Sequence, residues 1–453
     1  MAGNHETQAA LYVSITNIMK DGETSDEKAP LFSKASIHRV PQNLRKLKES
    51  AYTPRIVSIG PYHKHDERLK NMEDRKKSYT NSLLSRVKSK TGQTADAVIK
   101  EITKIILEKA ADARSYYAAI HELHDDLRFA EMLLVDGCFI LELLYKNADQ
   151  PQNVVSILGN NLVLLDVRHD LLLLENQIPM FVLQTLFDFS LVQPYTLFDL
   201  IISFFGNMLN FKLKIRKVVM PETAAHILGL LHDCYLPCDT AALERLHTSQ
   251  IIKHSAIDLD RAGVDFKEGK GRDQICVNFR TSWRFSCLRS CCDSWFFQLC
   301  VGKPCFQIPK LCLYGSTEPF LRNLIAFEQC SPSIPRHITS YAFLMDILIN
   351  TKEDVEVLEK AGVLENHLGA SEDATRLFNA ICKEVVLGEF TFWKQWQDLE
   401  EYCNSYSSKN FASWTELKRY YFSSRWALIS VIAAFILFSL QVIQTIYTVR
   451  SFH

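Results

Sequence analysis

Along most of the chain, apolar and polar positions alternate with a helical period. Between Glu67 and Val87 the apolar residues Leu69, Met72, Tyr79, Leu83 and Val87 recur at helical spacing with Arg, Lys, Asp and Glu between them, which predicts an amphipathic helix. Ala95–Lys109 and Ser115–Leu127 read the same way. The run RFAEMLLVDGCFILELLY, Arg128–Tyr145, is apolar on nearly every face and predicts a helix at the centre of a core. After a turn at Asn147–Asn153, the apolar stretch Val154–Leu165 leads into HDLLLLENQIPMFVLQTLFDF. There one helix should stop near Glu175 and Asn176, and another should begin around Pro179, because proline is tolerated in a first helical turn. Phe198–Leu209 is apolar but short and contains Asp199, which argues against a membrane span.

The pattern breaks in two places. Upstream of Glu67, Pro41 and Pro54 push their predecessors toward extended geometry, and the β-prone run Arg55–Ile59 is closed by Gly60 and Pro61, so a loop-rich ledge is expected. From Leu236 to Gly315, Gly263, Gly269, Gly271 and Gly302 punctuate strand-like ICVNF (Ile275–Phe279) and CFQIPKLCLY (Cys305–Tyr314). These predict a small antiparallel sheet with long loops. Helices resume at Pro319–Glu328, Ser340–Ile349, Thr351–Lys360 and Ser371–Leu387. Thr351 and Asp354 have capping-box spacing, Gly362 stands where a C′ glycine belongs, and Ser371, Glu372 and Asp373 supply a cap and negative charge to the last helix. Phe390–Leu417 is rich in Trp and Tyr.

The end of the chain differs from all of this. Trp426–Tyr447, WALISVIAAFILFSLQVIQTIY, carries no charged residue, and a helix of that length rises about 33 Å, enough to cross a bilayer's hydrocarbon core. Lys418, Arg419 and Arg425 crowd the near flank with Tyr420, Tyr421, Phe422 and Trp426, while Arg450 stands beyond the far one, so the near side should be cytosolic. The first thirty residues lack the basic lead and apolar run of a secretory signal. A tail-anchored layout is therefore expected, with residues 1–425 in the cytosol at the plasma membrane or an endomembrane. Ser430, Ala434, Gln441 and Gln444 could line a face for pairing of two such spans, which leaves a homo-oligomer open. The expected fold class is mainly α: a disordered lead over 1–35, a large helical domain over 36–425 with a small β-containing, Cys-rich region at 236–315, and a transmembrane helix over 426–447.

Composition adds constraints. With 47% hydrophobic and 23% charged residues the chain is globular, and a formal net charge of −1 offers no field for nucleic acid. Thirteen cysteines, an odd number with no paired framework, agree with a reducing compartment. Seven of them, Cys276, Cys287, Cys291, Cys292, Cys300, Cys305 and Cys312, fall in one segment. Their spacing is at the edge of what a zinc site accepts, and no His lies among them. The interleaved Trp283, Phe285, Trp295, Phe296 and Phe297 favour burial as packing residues over zinc or palmitoylation. The His pair in Tyr62-His63-Lys64-His65 lacks a third metal ligand and reads as a surface turn.

Asp136, amid apolar residues, needs a partner if buried, and Arg128, His169 and Arg168 are candidates. Asp170, Glu175, Asn176 and Gln177 around Pro179 could cap helix ends or face a cleft, with capping the preferred role. The chain has no G-x-S-x-G elbow, phosphate loop, H-E-x-x-H or G-x-G-x-x-G, so no catalytic, cofactor-binding or metal-ligating residue is assigned.

The stretches IHRVPQNLR, AYTPRIVSIGPYH, ERLKNMEDRKKSY, FAEMLLVDGCFILELL, HDLLLLENQIPMFVLQTLF, SAIDLDRAGVDFK, FLRNLIAFEQC and ITSYAFLMDILINTKEDVEVLEKAGVLENHLG, followed by the terminal span, resemble in order the plant DUF247 family, also called UPF0481. The match runs from about residue 37 to the end and departs from the family pattern between Gln274 and Leu311. The resemblance implies a plant, mostly helical, single-pass membrane protein without accepted catalytic residues, and some grass relatives are associated with pollen-side self-incompatibility. The expected function is protein–protein binding in signalling or recognition by a membrane-anchored chain. The rival is a membrane-tethered enzyme such as a hydrolase, using polar residues near Asp136 or Asp170–Gln177.

Overall fold

A computed structural model describes residues 34–118, 125–149, 160–190, 194–206, 224–236, 254–269, 275–280, 304–404 and 425–451. The expected disordered lead over 1–35 and the Cys287–Cys300 part of the cysteine-rich segment lie outside the described residues, save for 34–35. The chain divides into two compact units, Met1–Phe205 with Val219–Leu231, and Gly206–Val218 with His232–His453.

In the first unit the ledge carries the short helix α1 (Gln42–Leu47) and ends in a 3₁₀ turn, Glu67–Met72. There follow α2 (Glu73–Thr91), α3 (Ala95–Arg114), α4 (Asp126–Asp149), α5 (Asn161–Asp170), α6 (Met180–Phe189) and α7 (Leu197–Phe205). The predicted periodicity holds: Leu69, Met72, Tyr79, Leu83 and Val87 are all buried, and the apolar stripe packs on α4. α4 is the central helix, burying residues on all sides because α2, α3, α6 and α7 surround it. Gly137 lets α6 approach, since a Cβ there would collide with the Leu186 side chain. The expected helix Ser115–Leu127 does not form as one element. Ser115 closes α3, Tyr117 pairs instead with Ile37 in a β-bridge, and α4 begins only at Asp126. Pro179 directly precedes α6, as predicted, whereas the helix before it ends at Asp170, short of Glu175.

α8 (Ile227–Asp233) contains the boundary between the units. The second unit holds α9 (Ala256–Arg261), β1 (Asp265–Glu268), β2 (Asn278–Arg280), β3 (Cys305–Ile308) and β4 (Leu311–Leu313). It continues with α10 (Thr317–Cys330), α11 (His337–Leu348), α12 (Lys352–Lys360), β5 (Leu364–Asn366), α13 (Ser371–Ile381) and α14 (Trp393–Asn404). The sheet is not purely antiparallel as expected. β3 lies centrally, antiparallel to β2 but parallel to β1, and a second sheet pairs β4 parallel to β5. Between β4 and β5, α10, α11 and α12 supply the crossover that parallel neighbours require. Thr351 N–H donates to Asp354 Oδ2 at 2.9 Å in the predicted capping box, and Gly362 adopts φ +73°. α13 takes Ala370, not Ser371, as its N-cap, with Glu372 and Asp373 in the first turn. Among the described cysteines none is in a disulfide.

α15 (Arg425–Ser451) is one continuous helix of 27 residues, covering the predicted span. Its side chains are described at 429–430, 433–434 and 436–447, and over the described residues no helix is long and apolar enough to cross a membrane.

Candidate functional site

Among the described residues, a dense cluster of buried polar groups lies in the first unit, against the ledge from Val40 to Gly60. The β-prone run Arg55–Ile59 forms no strand, because its amides are taken by side chains. Asp170, the last residue of α5, accepts three of them: Arg55 N–H at 2.8 Å on Oδ1, and Ile56 and Val57 N–H at 2.8 and 2.9 Å on Oδ2. Ile59 N–H donates to Asn176 Oδ1 at 2.7 Å, and Gly60 N–H to Asp136 Oδ2 at 2.9 Å. Asn176 Nδ2 returns a bond to the Val57 carbonyl at 3.0 Å. A backbone buried without ladder partners must be satisfied in some such way, and here α4 and the end of α5 with its turn do it.

The same residues also serve the turn after α5. Asn176 Nδ2 donates to the Asp170 carbonyl at 2.9 Å, and Gln177 Nε2 to the Leu171 and Leu173 carbonyls at 2.7 and 2.9 Å. The expected capping role therefore holds for Asn176 and Gln177, whereas Asp170 and Glu175 reach across to the ledge. Gly60 completes the fit. It adopts φ +71°, and a Cβ there would stand 2.5 Å from the Gln177 carbonyl oxygen.

Asp136 pairs with none of the residues the sequence offered. Its partner is Lys76, whose Nζ lies 2.7 Å from Oδ1, both side chains being fully buried. Lys76 also reaches Glu73 Oε1 at 2.8 Å and donates to the Ser58 carbonyl. Burial alone would lower the Lys76 ammonium, but Asp136 and Glu73 outweigh it and raise its pKa, so Lys76 keeps its charge at neutral pH. A signal for Lys76 was present: it stands on the same face as Met72, Tyr79 and Leu83, where an apolar residue would otherwise fit.

Glu175, itself buried, joins the ledge to the partly exposed side chains of Arg45 and His63. Its Oε1 accepts the Val40 N–H at 2.6 Å and lies 2.6 Å from Arg45 Nη2, and its Oε2 lies 3.1 Å from His63 Nε2. The His63 contact is within ion-pair range but off the line of a hydrogen bond. Burial would raise the Glu175 carboxyl, yet His63, Arg45 and the Val40 amide hold it below the usual glutamate value. Tyr62–His65 is a turn, as read, and His65 is exposed, but the His63 side chain turns inward to Glu175.

The second unit has a smaller counterpart. Glu328 on α10 accepts the first amides of α11, Ile338 at 2.8 Å and Thr339 at 2.7 Å, and lies 2.8 Å from His232 Nε2. Burial would lower His232, but Asp233 and Glu328 prevail and raise its pKa to about 9, whereas burial pushes His337, bonded to the Ile275 carbonyl at 2.7 Å, down to about 4. Chemically, both clusters hold carboxylates tightly against donors of the chain itself.

The residues that build the ledge and its supports lie within the compared region. The model of the DUF247 family, described as plant protein of unknown function, matches residues 37–440. The UPF0481 protein At3g47200 of Arabidopsis thaliana is 28% identical over 433 residues, covering 92% of this chain and 86% of its own length. The putative UPF0481 protein At3g02645 of the same plant is 23% identical over 490 residues, covering 90% and 89%. No solved structure matches. The chain belongs to the DUF247 family of plant proteins of unknown function.

Proposed function

We propose that this chain is a membrane-tethered plant protein that acts by binding other proteins in signalling or recognition. The observation that carries the binding reading is the use made of the buried polar groups. Asp170, Asp136, Asn176 and Glu175 are each engaged by backbone amides of the ledge, which spends them on holding an irregular segment, exposed at 46–50 and at Arg55, in one shape. Loops rigidly presented by a scaffold are where recognition residues are commonly carried. The tether is supported by α15, which leaves Ile436, Leu437, Phe438, Leu440, Ile443 and Ile446 all at least half exposed. Apolar side chains left in water forgo the stabilisation that burial provides, and lipid is a surrounding that supplies it.

A hydrolase reading has one observation in its favour. His169 Nδ1 lies 2.9 Å from Asp170 Oδ1, the geometry of the base-orienting half of a hydrolytic triad. Its Nε2 is buried without a partner, so among the described residues no hydroxyl or thiol stands where a nucleophile would.

Proximity labelling with the intact chain tests the proposal, run beside a version lacking 425–453 and an unrelated anchored protein. The expected result is a reproducible set of neighbouring proteins marked by the intact chain alone. A set identical to that of the unrelated anchor, together with ester hydrolysis that disappears in His169→Ala, would replace binding with the hydrolase reading.

A further inference from the structure

Where α2 and α4 lie together near their C-terminal ends, cations and hydrogen-bond donors exceed the acceptors available among the described residues. Glu142, 1% exposed, receives one nitrogen on both its oxygens, Arg86 Nη2 at 2.9 and 3.1 Å, and Lys146 Nζ lies 3.5 Å from Oε1. Two cations therefore share one buried carboxylate. Each cation is also fixed by an aromatic face, with the Arg86 guanidinium carbon 4.9 Å from the Tyr145 ring centre and Lys146 Nζ 4.3 Å from that of Tyr79. Two donors in this cluster are buried without an acceptor: Arg86 Nε and the hydroxyl of Tyr79, a residue 3% exposed. Burial first, and Glu142 against the opposing Arg75, push the Tyr79 phenol up to about 12, so it remains a donor at neutral pH. The Arg86 and Lys146 side chains are 34% and 22% exposed, which leaves an approach from solvent.

We propose that Arg86, Lys146 and Tyr79 form a binding site for a phosphoryl oxyanion. An uncharged ligand would satisfy the donors but not the surplus positive charge, and a cation would be repelled. The donors come from a guanidinium, an ammonium and a phenol on two helices, and a tetrahedral anion presents acceptors in as many directions. Asp149, at the end of α4, is the carboxylate that opposes binding from the Tyr145 side. The site is independent of the ledge and of the proposed tether.

The test is calorimetric titration of the full chain with inorganic phosphate at constant ionic strength, beside flotation with phosphatidylcholine vesicles that contain or lack phosphatidic acid. Saturable binding is expected, weakened about tenfold or more by Arg86→Gln and by Tyr79→Phe, as loss of a charge-assisted hydrogen bond implies. Tyr79→Phe removes a hydroxyl that has no partner in the unliganded protein, so its phosphate-free melting temperature should not fall, which separates lost binding from lost folding. Binding to free phosphate assigns the site to a soluble phosphoryl compound. An Arg86-dependent gain on phosphatidic acid alone assigns it to a lipid headgroup. No binding in either arm, or binding equal in wild type, Arg86→Gln and Tyr79→Phe, overturns the proposal.

Discussion

Lys76 and Asp136, sixty residues apart, meet at 2.7 Å with neither side chain reaching solvent. The pair joins α2 to the central helix α4, and through the Ser58 carbonyl and the Gly60 amide it joins both to the ledge. Removing one partner leaves a buried charge uncompensated. Lys76→Met should therefore cost about 3–5 kcal/mol, whereas Lys76→Met with Asp136→Leu should recover a large part of that loss. Denaturant unfolding of the three proteins measures both numbers.

Gly60 is required on two counts, its positive φ and the closeness of the Gln177 carbonyl. Gly60→Ala should destabilise by more than about 1 kcal/mol, while Gly92→Ala, also at positive φ but with open space around it, should cost less. The difference between the two unfolding midpoints isolates the collision from the backbone strain.

The helices were legible in the sequence because their stripes are long and periodic. α2 and α4 follow directly from Leu69–Val87 and from the nearly all-apolar run around Asp136, and α12 from Thr351, Asp354 and Gly362. The ledge was legible as irregular, but its partners were not. Nothing local ties Arg55–Gly60 to Asp170, Asn176 and Asp136, since these hydrogen bonds span 76 to 117 residues. Propensity marked Arg55–Ile59 as β-prone, and tertiary hydrogen bonds to side chains overrode it. The mixed sheet escaped for a similar reason: nothing local in CFQIPKLCLY shows that β3 takes β1 as a parallel neighbour. Lys76 could have been found as the single cation on an apolar stripe.

Acid should loosen the ledge through Glu175. Its carboxyl is held below the ordinary glutamate value in the folded state, so its contribution is fully present above that ordinary value and is lost as pH falls through the depressed one. Glu175→Gln should be less stable at neutral pH and should show a shallower decline of stability on the acid side. Thermal melts across the acid range read this directly, and parallel curves for the two proteins would contradict it.

The second unit carries the opposite dependence. His232 has its pKa raised to about 9 by Asp233 and Glu328 despite burial, so its stabilisation is fully present below the unfolded value near 6.5 and is lost as pH rises toward 9. His232→Gln should flatten the alkaline limb of the stability curve between those values. Hydrogen exchange at the Ile338 and Thr339 amides, which Glu328 accepts, should quicken in the variant.

The tether through α15 is the central claim, and it is tested most directly by alkaline extraction of membranes from plant cells expressing the full chain or residues 1–424. The full chain should stay with the lipid, and the shortened one should be released, still folded by its melting curve. Release of both, or retention of both, would contradict the tether.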